Sequence, residues 1–199
     1  TFGSIHARGL TDSMIILEGV NASQWFGIIL NSTAADESKL NFTHILHTRV
    51  GVQTQSPYFV ISSCSISDSS GSGLAMSLGD GASVYDFLGT IIENTNSDGI
   101  YLSGKGNMSI VNVTIRNASL RGIYLKTDSG QIRLSRSIIR NCSKAIEVIF
   151  SAINVAGNVF MENCTIDNNT LGVFISTQNY YSNNIINLFK NNFMNNKGL

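Results

Sequence analysis

Charge is scarce in this chain. Asp, Glu, Lys and Arg together make up 13% of 199 residues, about half the usual share. The 13 basic and 13 acidic side chains cancel to a net charge of +0. Without a basic stripe, nucleic acid is excluded as a partner, and a strongly anionic polymer would feel little general attraction. No apolar run approaches the ~18 residues of a membrane span, so this segment is not expected to insert directly into a bilayer. Histidine is limited to His6, His44 and His47. The last two are three residues apart and do not share a strand face, which argues against a common metal site. No nucleotide-binding glycine loop is present. No cofactor, metal or catalytic set is expected. A single proline beside 18 glycines fits stacked strands with tight corners.

What the chain does have is a period. A glycine followed by an aliphatic residue stands at Gly27-Ile28, Gly51-Val52, Gly73-Leu74, Gly99-Ile100 and Gly122-Ile123. It continues at Ala145-Ile146, Gly172-Val173 and Gly198-Leu199, with gaps of 24, 22, 26, 23, 23, 27 and 26 residues. Self-similarity at such a spacing marks a solenoid. Five to seven residues before each step from the second onward lies a core residue: Ile45, Ile66, Ile92, Ile115, Ile139, Ile166 or Phe193. Two residues further on come His47, Asp68 and then Asn94, Asn117, Asn141, Asn168 and Asn195. Strand alternation puts each Ile and its Asn on the same inward side, where the amides would bond from rung to rung as a ladder. Asn also tolerates the left-handed backbone of a corner. Helix is a poor alternative, since apolar residues alternate and β-branched residues dominate the runs. The fold expected is all-β, a parallel β-helix of about seven rungs, roughly 35 Å long, with an internal Asn ladder.

The segments Asn112-Val-Thr-Ile-Arg-Asn-Ala-Ser-Leu-Arg-Gly-Ile-Tyr-Leu125 and Asn163-Cys-Thr-Ile-Asp-Asn-Asn-Thr-Leu-Gly-Val-Phe-Ile175 resemble the right-handed parallel β-helix proteins of the pectin-lyase-like superfamily. The resemblance covers nearly all of the chain and implies the right hand of the coil. It leaves activity open, because that superfamily holds enzymes, adhesins and surface proteins. A shorter likeness lies at Gly3–Gly9, Met14–Leu17 and Trp25-Phe-Gly-Ile28. It looks like the entry to β-helix segments in animal surface proteins of the protein bark beetle family, and implies cell–cell adhesion or junction organisation.

Residues 1–199 are read as one β-helix domain. Solenoids need polar caps and neither end resembles one, so the expectation is a fragment of a longer chain lacking both caps. Cys64 and Cys164 share a column four rungs apart, roughly 19 Å, too far to bridge. Cys142 lies in another column, so three reduced, packed thiols are expected. Nine Asn-x-Ser/Thr sequons are present, and their excess favours a secreted glycoprotein. Asn21, Asn31, Asn41 and Asn107 lie in or beside expected turns, and Asn112 and Asn163 point outward. These six are the candidate glycosylation sites. Asn117, Asn141 and Asn168, as inward ladder residues, are expected to carry none.

Chemistry is sparse. Polygalacturonase-type enzymes of this fold carry four motifs. Asn94-Thr95-Asn96-Ser97-Asp98 touches only the first, and no acid pair for glycoside hydrolysis stands out. The position before the glycine holds Asp98, Arg121 and Lys144 on consecutive rungs. An acid beside two bases could grip a uronate sugar; the plainer reading is a solvated turn with a weak ion pair. A second column, Glu93, Arg116, Arg140 and Asp167, suggests charge pairing that fixes register. Tyr101, Tyr124 and Phe174 form an outer aromatic column interrupted by Glu147, suited to stacking on sugars or anchoring a protein. The expected function is a non-enzymatic extracellular structural or recognition module of a large glycosylated, membrane-anchored surface protein. Its side wall would meet a protein partner or a glycan. The alternative is a carbohydrate-active enzyme, a polysaccharide lyase or hydrolase.

Overall fold

The computed structural model describes residues 5–20, 24–30, 38–55, 58–77, 84–105, 107–150, 157–177 and 185–198. Every strand pairs in parallel with its equivalent one repeat away, giving a coil with three faces. The first face runs from His6–Arg8 to Ile185–Phe189, the second from Ile15–Glu18 to Asn192–Met194, the third from Ile28–Leu30 to Leu171–Thr177. The first and third are joined where Arg121–Ser135 continues from one to the other.

The repeat has a packing cause. Ile45, Ile66, Ile92, Ile115, Ile139 and Ile166 stack in one column at 0–1% exposure. Burying such a side chain contributes about 1.5–3 kcal/mol. The glycine step abuts this column. A Cβ on Gly99 would run into Cγ2 of Ile115 on the next rung and come within 2.6 Å of the Gly122 carbonyl oxygen. Gly51, Gly73 and Gly122 face Ile66, Ile92 and Ile139 in the same way. Glycine therefore recurs because the neighbouring rung occupies the space a side chain would need.

Two corners flank the second sheet, and both are left-handed. The first holds Phe42, Ser63, Gly89, Asn112, Arg136, Asn163 and Lys190, with φ between 47° and 59°. The second holds His47, Asp68, Asn94, Asn117, Asn141, Asn168 and Asn195, with φ between 52° and 58°. Asn is enriched here because its short polar side chain tolerates this region. At the second corner the amides form a ladder. Nδ2 of Asn117 donates to Oδ1 of Asn94 at 2.9 Å, that of Asn141 to Asn117 at 3.1 Å, and that of Asn168 to Asn141 at 2.8 Å. Asn94 donates in turn to Asp68 at 3.1 Å.

The inward placement of this ladder is corrected. Asn94, Asn117, Asn141, Asn168 and Asn195 are all exposed. The left-handed φ breaks the strand alternation, so the corner side chain swings outward and the next residue swings in. Asn195 leaves the ladder and donates to Asp167 at 2.9 Å. The inward column is Thr48, Ser69, Thr95, Ala118, Cys142 and Asn169, with half-buried Asn196 following. Buried amides do occur there. Oδ1 of Asn169 accepts the Cys142 N–H at 2.9 Å, and its Nδ2 donates to the Ile139 carbonyl at 3.2 Å. Cys64, Cys142 and Cys164 are free, buried thiols.

Candidate functional site

Four strands of the third sheet, Ile100–Lys105, Arg121–Ser135, Lys144–Phe150 and Leu171–Thr177, stand side by side, in register except for a shift between Gly104 and Lys105. One outward column reads Tyr101, Tyr124, Glu147, Phe174, and another aligns Arg121 with Lys144. Asp98 precedes the first of these strands, and the hydrogen bond from Gly99 N to the Arg121 carbonyl, 2.8 Å, places it beside Arg121.

Arg121 joins two carboxylates. Its Nε and Nη2 donate to Asp98 at 2.6 and 3.1 Å, a bidentate pair, and its Nη1 donates to Glu147 at 3.1 Å. Lys144 Nζ donates to the other Glu147 oxygen at 2.7 Å. The guanidinium lies 3.7 Å from the Tyr124 ring centroid, and the Lys144 ammonium 4.8 Å from that of Phe174. Tyr101 and Tyr124 stack at 5.4 Å with an interplanar angle of 50°. A shallow depression of about 180 Å³ lies over Leu120, Arg121, Ser143, Lys144 and Glu147.

The solvated-turn reading of Asp98, Arg121 and Lys144 is overturned. Asp98 is 1% and Glu147 7% exposed, so both carboxylates pair away from solvent. Glu147, read from sequence only as a break in the aromatic column, is the residue that ties the cluster together. Its signal was present: an acid three residues after Lys144 and one rung beyond Tyr124. It also separates Phe174 from the Tyr101–Tyr124 pair.

The two carboxyls are pushed in opposite directions. Burial raises Asp98 above the ordinary carboxyl range, and the hydrogen bonds and charge of Arg121 only partly counter it. For Glu147 burial also acts upward, but bonds and charge from Lys144 and Arg121 outweigh it and leave the carboxyl below its usual value. Burial would lower the Arg121 guanidinium, and its two acidic partners raise it instead. The group sums to zero charge and its ions are mutually satisfied.

The other expected sites fall elsewhere. Of the second charged column, Arg116 and Glu93 pair, whereas Asp167 accepts from Asn195 and the buried Nε of Arg140 has no hydrogen-bond partner among the described residues. Among the sequon residues, Asn107, Asn112 and Asn163 are exposed and Asn41 is half-buried, with Asn41 Oδ1 accepting from Ser62 at 2.9 Å. Asn21 and Asn31 lie outside the described residues. The exposure of Asn117, Asn141 and Asn168 removes the ground on which they were set aside as inward. Among the described residues, no three His, Cys, Asp or Glu side chains come together as a metal site, and no helix is long and apolar enough to cross a membrane.

The family model for the right-handed β-helix region matches residues 26–192, and the chain belongs to that family. No curated protein matches it.

Proposed function

We propose that this member of the right-handed β-helix family is a non-enzymatic structural and recognition module of a glycosylated extracellular surface protein. The wall around Arg121 is its presenting surface. The observation that carries this reading is the closed ion network: both carboxylates of the stripe are held by Arg121 and Lys144, and both cations face aromatic rings. A general acid or base has to reach a substrate proton, and a recognition surface instead gains from rigid aromatic and Arg anchors. The finer readings belong to the same proposal. Kinship with the pectin-lyase-like superfamily, and a place in animal surface proteins with roles in adhesion or junction organisation, rest on the sequence resemblances. The partner is a protein or a glycan.

One observation favours the alternative, a carbohydrate-active enzyme. Carboxyls pushed apart, as Asp98 and Glu147 are, mark acid–base pairs in many active sites. The test is a polysaccharide screen that reads both cleavage and binding, run with the Asp98→Ala/Arg121→Ala double variant. No cleavage is expected; binding that is lost in the double variant would make the partner a glycan, and no binding would direct the search to protein partners. Cleavage that disappears in the double variant would overturn the module reading and place an active site there.

A further inference from the structure

Three sequons coincide with the exposed amide ladder: Asn117-Ala-Ser119, Asn141-Cys-Ser143 and Asn168-Asn-Thr170. In each, the Asn and the hydroxyl residue are exposed and the residue between them is buried. We propose that Asn117 carries an N-linked glycan and keeps its place in the ladder while doing so. The inference rests on the extracellular reading of the module. The donor class is an oligosaccharide on a lipid diphosphate. The bond from sugar C1 to the diphosphate oxygen breaks and a bond from C1 to Nδ2 forms. The lipid diphosphate leaves, and one Nδ2 proton goes to solvent.

The ladder occupies only one of the two hydrogens on each Nδ2. Asn117 donates to Asn94 on the preceding rung at 2.9 Å, and its Oδ1 accepts from Asn141 on the following rung at 3.1 Å. The two bonds run in opposite directions along the coil, so the bonded hydrogen is the one anti to Oδ1. The other hydrogen, syn to Oδ1, points sideways, and no second acceptor for Nδ2 is seen among the described residues. A substituted amide is planar and sets its new substituent trans to the carbon chain, which here means trans to Cβ. That is the place of the sideways hydrogen. Sugar and ladder therefore use different positions on the same nitrogen. Glycan transfer precedes folding, so the folded structure decides whether the bulky product can take up its register, and this geometry lets it. Space favours Asn117 over the other two. Its Nδ2 faces a polar depression of about 430 Å³ that runs past Asn94, Asp68 and His47 and is also lined by Ser119. Asn94, followed by Thr95 and Asn96, is not a sequon. Nδ2 of Asn141 and of Asn168 instead face another sequon one rung away, roughly 4.8 Å, where a second glycan would crowd them.

Site-resolved glycopeptide mass spectrometry tests this on the 199-residue chain secreted from eukaryotic cells behind a cleavable leader. Asn112 and Asn163, exposed sequons at the other corner, serve as internal controls. Glycan is expected on Asn117 in the soluble secreted protein. Ser119→Ala should abolish it while leaving the Asn117 amide in the ladder, and Ser119→Thr should keep it. Melting of the secreted protein, trimmed to one sugar per site, then reports on the ladder. Its Tm is expected within about 2 °C of Ser119→Ala or above it, whereas losing both ladder bonds of Asn117 would lower it by about 2–8 °C. A bare Asn117 beside occupied Asn112 or Asn163 would overturn the inference and leave the glycosylated module standing. No glycan at any sequon would overturn both. Glycan on Asn117 only in aggregated or retained protein, or a Tm drop larger than about 2 °C, would show that sugar and ladder exclude each other and would overturn the inference alone.

Discussion

Arg121→Met removes the centre of the ion network while keeping an unbranched side chain of similar reach. Asp98 then retains a carboxylate that is 1% exposed and has lost its bidentate donor. Breaking a buried pair from one side costs about 3–5 kcal/mol. The Arg121 side chain is 22% exposed, so water partly screens the pair and the lower end, about 3 kcal/mol, is expected. The pH dependence supplies an independent reading. Asp98 is already raised above its ordinary 3.8, so its protonated form is favoured in the folded state. Its contribution therefore falls as pH rises from that value through the folded pKa. Removing Arg121 takes away the force that opposes burial, so the variant should lose more stability than the parent between about pH 4 and neutrality. Asp98→Asn in the Arg121→Met background should recover part of the loss, because no charge remains to be desolvated. Urea unfolding at pH 4.5 and pH 7 would measure each contribution. A cost below about 1 kcal/mol, with the same pH profile as the parent, would mean that the pair behaves as an exposed surface bridge and would refute the reasoning.

Three further outcomes are expected. Asn169→Ala should cost about 2–3 kcal/mol, since it leaves the buried Cys142 N–H without its partner and removes the side-chain bonds to the Ile139 carbonyl and to Asn196. Asn141→Ala should cost less, about 1–2 kcal/mol, from two exposed ladder bonds and the left-handed φ of 57°. Urea midpoints in the reverse order would contradict the assignment of buried and exposed columns. Gly122→Ala should cost about 1–3 kcal/mol through overpacking against Ile139 and the Ala145 carbonyl oxygen, 2.6 Å from the added Cβ; an unchanged melting temperature would show that the rungs can separate at no cost. Burial pushes the Cys142 thiol from 9.0 up to about 11. Its stabilising effect is complete below pH 9 and is lost as pH rises towards 11, a gap worth roughly 3 kcal/mol. Cys142→Ser should flatten this alkaline limb of the stability curve, and iodoacetamide should label native Cys142 only as fast as the chain opens. Rapid labelling of the folded protein at pH 8 would place the thiol at the surface.

The coil itself was legible because its rule is steric and repeats: Gly99 must be small since Ile115 lies against it, and Ile115 must be apolar since Ile92 and Ile139 lie above and below. The register of Asn94, Asn117, Asn141 and Asn168 could be read for the same reason. Their direction could not, because alternation was assumed to run through the corner. One left-handed residue there exchanges inside for outside. The buried amide of Asn169 was hidden because its column holds Thr95, Ala118 and Cys142 on earlier rungs, so no single residue type announces it. The Arg121 network was half visible. Asp98, Arg121 and Lys144 stood in one column, but Glu147 belongs to a different one, and only the lateral reach of Arg121 and Lys144 unites the two.

The exposed amide ladder has an electrical consequence. Every donor in it points the same way, from Asn168 to Asn141, Asn117, Asn94 and finally Asp68. Four carboxamide dipoles thus lie head to tail along one corner of the rod, polarising one another as linked hydrogen bonds do. The positive pole faces the earlier rungs, and it ends on a carboxylate, Asp68, whose second oxygen accepts from Ser67 at 3.1 Å. The arrangement reproduces with side chains what a helix does with its backbone, an acid placed at the positive end of an aligned column. The solenoid is thereby a polar filament: its two directions are electrically distinct along this corner, and an ion or a second protein sliding along it would meet a gradient where the sequence alone suggests an uncharged row of asparagines.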